Sequence, residues 1–180
     1  MPDLVAASKH VAFVLRHDPA SVGLVLDAHG WVEVADLLAA LAAHGHALTP
    51  DELDQVVTGG DKRRFELRDG RIRALHGHSV VVEPAGPPVA PPPVLYHGTV
   101  ARFIPAIRTE GLLPGQRRWV HLSHDRATAC DVAARRGRPV VLHVDAAAMH
   151  TAGHVFYWSG TVWLTAAVPP AYLSSEPQRR

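Results

Sequence analysis

One cysteine, Cys130, is all that 180 residues provide, which excludes a disulfide framework and a cysteine zinc site. No apolar run approaches the roughly 18 residues of a membrane span, and the N-terminus lacks a signal-peptide pattern. A soluble, cytoplasmic protein is therefore expected. The net charge is only +1, so bulk electrostatics do not announce a nucleic-acid binder. There is no internal repeat and no glycine-rich phosphate loop, which weighs against Rossmann and kinase readings. No His/Cys/Asp/Glu cluster has metal-ligand spacing, so no metal is expected, and His44 and His46 read as surface residues. Lysine is also scarce: of the 18 basic residues, 16 are arginines. Several cluster, in Lys62-Arg63-Arg64, Arg117-Arg118 and Arg135-Arg136-Gly137-Arg138. Arginine forks match phosphate oxygens bidentately, as lysine cannot. A GC-rich genome would enrich Arg, Ala, Pro and Val equally, and composition alone does not separate the two explanations.

At 47% hydrophobic residues the chain can bury one or two small cores. The stretch Val94-Leu95-Tyr96-His97-Gly98-Thr99 begins a new regime after a run of prolines. Val94, Leu95 and Tyr96 favour a strand, and Gly98 permits close backbone approach where the apolar run ends. A buried strand ending in His-Gly-Thr offers an imidazole, a bare backbone and a hydroxyl, a combination suited to a ribose or diphosphate. Trp119-Val120-His121-Leu122-Ser123 repeats the pattern. Either stretch alone equally fits a core strand with a satisfied histidine; two together point to a site.

In chain order, Leu4 to Arg16 reads as a helix with Leu4, Val11, Val14 and Leu15 on its apolar stripe. Pro19 ends it, leaving Arg16 and His17 at a C-terminus that favours positive charge for stability alone. Gly23 to Asp27 is expected as a short strand, Gly30 to Val34 as extended chain after a turn, and Ala35 to Ala43 as a helix. Thr49-Pro50-Asp51-Glu52 is a capping-box start for a helix to Thr58, stopped by Gly59-Gly60. Strands Arg64–Leu67 and Arg71–Ala74 flank Asp69-Gly70, a hairpin signal. Three helices followed by a basic hairpin resemble a winged-helix domain. Residues 83–93 are too proline-rich for helix or central strand and predict an extended linker of roughly 30 Å. Beyond it the spacing predicts strand 94–98, helix 100–110, strand 119–122, helix 124–136 and strand 139–144. Strands at 154–157 and 161–165 and a Tyr172-Leu173 tail complete the chain.

Eight motifs occur in order: Arg16-His17, Asp61-Lys62-Arg63-Arg64-Phe65, Ile72-Arg73-Ala74, Gly77-His78-Ser79, Tyr96-His97-Gly98-Thr99, Val120-His121-Leu122-Ser123, Arg135 with Gly137, and Val162-Trp163-Leu164. Together they resemble the NAD-dependent RNA 2′-phosphotransferase (tRNA 2′-phosphotransferase) family over nearly the whole chain. The resemblance implies an α+β protein with a winged-helix-like, RNA-phosphate-binding lobe at 1–82 and a Pro-rich linker at 83–93. Residues 94–180 would form an NAD-binding lobe with the split β-sheet of ADP-ribosyltransferases. NAD⁺ is the implied co-substrate, a tRNA-like RNA bearing a 2′-phosphate the partner, and tRNA splicing the setting. A monomer with its active site between the lobes is expected.

By the same resemblance the catalytic set is Arg16, His17, Arg64 and Arg135, and NAD⁺ is held by His97, Gly98, Thr99, His121, Leu122 and Ser123. Arg136 is the alternative to Arg135, and spacing to Gly137 favours Arg135. The RNA 2′-phosphate would first displace nicotinamide at ribose C1″. O2″ would then displace the RNA 2′ oxygen from phosphorus, giving ADP-ribose 1″,2″-cyclic phosphate. A phosphate nucleophile is already an anion, which suits the lack of an acidic residue in Thr161-Val162-Trp163-Leu164-Thr165. The sequence departs from the family pattern at His76, where glutamine is usual, at Ala133, where glycine is usual, and in a short 158–161 loop. Two rival readings share much of this pattern. One is an ADP-ribosyltransferase that caps terminal phosphates of RNA or DNA. The other is a winged-helix nucleic-acid-binding protein without catalysis.

Overall fold

The computed structural model describes residues 3–59, 63–84 and 86–175, and they form a mixture of helices and small antiparallel sheets, an α+β protein. Gly60, Asp61, Lys62 and Ala85, which enter the motif and linker readings above, lie outside the described residues. The chain divides into two compact units, 1–85 and 86–180.

In the first unit, α1 (Leu4–Arg16) starts where the Asp3 carboxylate accepts the N–H groups of Val5 and Ala6. Val11, Val14 and Leu15 are fully buried, but Leu4, expected on the same stripe, is exposed and lines a groove beside the helix instead of the core. A 3-10 turn at Pro19–Val22 follows. The strand expected at Gly23 to Asp27 does not form. The Leu24 N–H returns to Pro19 O, Val25 is 87% exposed, and the Asp27 carboxylate collects the N–H groups of His29 and Trp31 in a tight turn. With no neighbouring edge to pair with, strand propensity alone decides nothing.

Strand β1 is only Val32–Glu33, and Val34 already opens α2 (Val34–Ala43). Helix α3 (Pro50–Thr58) carries the reciprocal cap: Thr49 Oγ1 accepts from Glu52 N–H, and the Glu52 carboxylate accepts from Thr49 N–H. Strands β2 (Phe65–Arg68) and β3 (Arg71–Ala74) meet at Asp69-Gly70, both at positive φ, as a two-residue primed turn requires. The antiparallel sheet has the order β1-β3-β2. The hairpin's arginines are largely engaged locally, Arg73 with Glu66, and Arg71 with Asp27 and Glu33.

The second unit begins with β4 (Val94–Val100), paired along all seven residues with β6 (Pro139–Asp145), which also pairs β9 (Leu173–Ser175). A second sheet has the order β5-β8-β7, from β5 (Val120–Leu122), β7 (Tyr157–Trp158) and β8 (Trp163–Thr165). A bridge between Tyr96 and Ser123, with hydrogen bonds of 3.0 and 2.7 Å, joins the two sheets. The strands expected from His154 and Thr161 start later, at Tyr157 and Trp163. Helix α4 (Ile104–Glu110) follows a short 3-10 turn, and α5 (Arg126–Ala134) is capped by Asp125. Helix α6 (Ala146–Thr151), capped by Asp145, was not expected from the sequence. The Pro-rich stretch does not stand free. Glu83 N–H bonds Ala28 O at its start, while Val89 N–H bonds Phe156 O and Pro93 O accepts from Ala147 N–H near its end.

Candidate active-site residues

Three expected residues converge at the C-terminal end of α1. The last helical carbonyl, that of Arg16, would lack an intrahelical partner, and it accepts instead from Ser79 N–H at 2.9 Å and Val80 N–H at 3.4 Å. The Gly77-His78-Ser79 loop is thereby fixed over the helix end. The Ser79 hydroxyl leans to the same carbonyl at 3.5 Å and hydrogen-bonds His17 Nδ1 at 3.0 Å, which fixes the orientation of the imidazole ring. Arg16 Nη2 donates to Arg64 O at 3.5 Å, a carbonyl that also accepts from Leu75 N–H. Gly77, at φ +91°, lies alongside the Arg16 guanidinium, a backbone conformation that favours glycine.

His78 is buried behind this cluster, and among the described residues its Nε2 has no hydrogen-bond partner. Burial, followed by the charges of Arg16, His17 and Arg73, lowers its pKa to about 4. A neutral histidine backs a corner that concentrates cationic charge. Arg16, His17 and Arg64 line the end of a groove of about 600 Å³ between α1 and α3.

The second unit assembles the other set. The Tyr96–Ser123 bridge sets β4 beside β5, and His97 Nδ1 donates to the His121 carbonyl at 3.1 Å. A carbonyl is only an acceptor, so Nδ1 carries the proton and Nε2 the lone pair. Burial, together with the charges of Arg136 and Arg117, lowers the His97 pKa against the raising effect of the carbonyl, keeping the ring neutral. His121 holds the opposite tautomer: Arg117 donates to its Nδ1 at 2.7 Å, which leaves the proton on Nε2. Burial and Arg136 lower the Arg117 pKa as well. Of the adjacent arginines, Arg136 is thus the one whose charge acts on this corner. Arg135 caps the C-terminal end of α5, and both arginines are exposed.

The remaining expected residues play mixed parts. Ser123 is buried and bonded through its backbone to Tyr96, and Thr99 is buried near the end of β4. The Leu122 side chain belongs to the core of the unit. Gly98 has a packing reason: a Cβ there would lie 1.8 Å from Ala129 O, so only glycine lets α5 rest on β4. Arg117 and His78 were missed as supporting residues. The first stood in the sequence only as half of the Arg117-Arg118 cluster, with nothing to tie it to His121, and the Gly-His-Ser motif held the second without disclosing its burial.

A family model described as RNA 2'-phosphotransferase, Tpt1 / KptA family matches residues 2–167. A Streptomyces coelicolor protein named "Probable RNA 2'-phosphotransferase" is 57% identical over 170 residues, covering 94% of this chain and 93% of its own. A protein of the same name from Streptomyces griseus is 55% identical, with 94% and 95% covered. Another from Agrobacterium fabrum is 55% identical, with 94% and 92% covered. With a match across both units and relatives aligned over more than nine-tenths of their length, this chain belongs to the RNA 2'-phosphotransferase, Tpt1 / KptA family.

Proposed function

We propose that the chain transfers an internal RNA 2′-phosphate to NAD⁺, which serves as a co-substrate, without a metal. The observation that carries this reading is the convergence of Arg16, His17 and Arg64 on one cationic corner in a chain of this family. The element order α1-β1-α2-α3-β2-β3 of the first unit supports a winged-helix-like architecture. The two three-stranded sheets meeting at one bridge support an ADP-ribosyltransferase-like split sheet in the second.

In the proposed reaction a 2′-phosphate oxygen bonds to the nicotinamide ribose C1″ as the C–N bond to nicotinamide breaks. This leaves RNA carrying ADP-ribose on its 2′-phosphate. The ribose O2″ then bonds to that phosphorus, and the P–O bond to the RNA 2′ carbon's oxygen breaks. RNA with a restored 2′-OH and ADP-ribose 1″,2″-cyclic phosphate result. The O2″ proton ends on the departing 2′ oxygen, and His17, an imidazole held by Ser79 beside Arg16, is the residue that carries it. Arg16, Arg64 and Arg135 stabilise the charge on the non-bridging oxygens. Residues of β4 and β5 fit a ribose diol well. His97 Nε2 accepts from one hydroxyl and His121 Nε2–H donates to the other, beside Ser123 and the strand backbone of Gly98, Thr99 and Leu122. The substrate is a tRNA-like RNA bearing a 2′-phosphate, and the working form is a cytoplasmic monomer.

The test is incubation of the full chain with NAD⁺ and an oligonucleotide carrying one internal 2′-phosphate. Free nicotinamide, dephosphorylated RNA and the cyclic phosphate are expected in equal amounts. ADP-ribose left permanently on a terminal phosphate would replace this reading with a capping activity. No nicotinamide release with any phosphorylated nucleic acid would refute both.

A further inference from the structure

Helix α1 has two working faces. Val11, Val14 and Leu15 supply the core. The groove side carries Val5, Lys9 and Phe13 at intervals of four, running into Arg16 and His17 one turn later. Phe13 is 48% exposed and Val5 64% exposed, so neither ring nor isopropyl group is needed to complete the core. The Phe13 ring lies 5.9 Å from the His17 ring, tilted by 45°.

The groove's volume of about 600 Å³ is of a size that takes a small organic ligand. Its character changes along its length: apolar around Phe13, with Lys9 beside it, and cationic at the Arg16, His17 and Arg64 end. A purely apolar occupant would strand the arginines, and a bare phosphate would leave Phe13 uncovered. A nucleotide satisfies both ends, since one helical turn, about 5.4 Å, resembles the reach from a 2′-phosphate across its ribose to the base.

We propose that Phe13 is the stacking platform for the base of the phosphate-bearing nucleotide, a specificity residue for RNA within the reaction proposed above, on which this inference rests. The aromatic face accepts any base, so the contact holds RNA without reading its sequence. It also excludes phosphorylated sugars and inorganic phosphate as good substrates, because they have nothing to lay on the ring.

The experiment uses short RNAs with an internal 2′-phosphate and 2-aminopurine, or no base, at that same nucleotide. Wild-type protein is expected to quench 2-aminopurine on binding. Phe13→Ala should lose the quench, bind about tenfold more weakly and show a tenfold higher KM with kcat within about twofold. Phe13→Tyr should retain both quench and affinity. Removing the base should weaken wild-type binding about tenfold and leave binding by Phe13→Ala unchanged. Equal losses for both proteins on base removal would overturn the proposal. So would sedimentation showing a dimer that Phe13→Ala dissolves, since the groove would then hold a second copy. Turnover by the wild type is read separately: if it processes no 2′-phosphorylated RNA, the reaction reading fails irrespective of the stacking result.

Discussion

Adding one methyl group at Gly98 should force β4 and α5 apart. The new Cβ would lie 1.8 Å from Ala129 O, 2.7 Å from its carbonyl carbon and 3.1 Å from Ala133 Cβ, whereas such atoms stay beyond 3.0 Å. The strand and helix must therefore separate by about 1.2 Å, and because the obstacle is backbone, no rotamer change relieves it. β4 is held along seven residues by β6, and the α5 face it meets is the fully buried pair Ala129 and Ala133. A gap of 0.5–1 Å forfeits roughly a quarter to a half of each dispersion contact. Overpacking a dense core typically costs about 1–3 kcal/mol, and a displacement of this size places Gly98→Ala near about 3 kcal/mol. For a unit of this size each kcal/mol moves Tm by roughly 4–8 °C, so a fall of about 15 °C is expected in the transition of the second unit. Scanning calorimetry of the full chain measures it. A fall below about 3 °C, with NAD⁺-dependent activity lost, would refute the packing argument and make Gly98 a residue of ligand approach.

Three further outcomes follow from the site. Arg64→Ala and Arg135→Ala should slow the second displacement about a hundredfold more than the first, so RNA carrying ADP-ribose on its 2′-phosphate accumulates as a shifted gel band. Equal loss of both displacements would reduce these arginines to binding residues, and Arg→Lys should rescue poorly. His78 has a pKa of about 4 folded against 6.5 unfolded, so the unfolded chain takes up its proton first as pH falls. The contribution of His78 to stability is full above about pH 6.5 and declines by roughly 3 kcal/mol towards pH 4; the urea midpoints at pH 7 and 4.5 should differ more in the wild type than in His78→Leu. Activity should persist in excess EDTA, because arginines supply the positive charge; strict dependence on a divalent ion would contradict the mechanism.

What could be read from the sequence was what a few neighbouring residues decide. Thr49 and Glu52 cap each other within one turn, and Asp69-Gly70 folds the hairpin locally, so both stood in the sequence as they stand in the structure. The Leu24-Val25-Leu26 run misled because strands need partners, and Asp27 bound Trp31 N–H instead of extending. Helix α6 is six residues long, too short for a periodic signal, and depends on the Asp145 cap. His97 and His121 were recognisable by type and motif. Their complementary tautomers come from contacts over longer range or across a turn, with the His121 carbonyl and with Arg117, that no spacing rule states. Gly98 was noticed for close backbone approach, but one partner that needs it, α5, lies some thirty residues further along the chain, beyond the reach of local spacing.

Helix α1 ties the core, the groove and the Arg16–His17 corner to a single angular coordinate. Each residue turns the helix by about 100°, so losing or gaining one residue between Val5 and Leu15 would swing Arg16 and His17 a quarter-turn or more from Ser79 and Arg64. Substitutions on the outer face cost little, but length is fixed. Lineages descending from this chain should therefore drift in composition along residues 4–15 while showing no insertion or deletion there, and should collect their length changes in exposed connections such as the one around Val25, whose side chain adds nothing to the core.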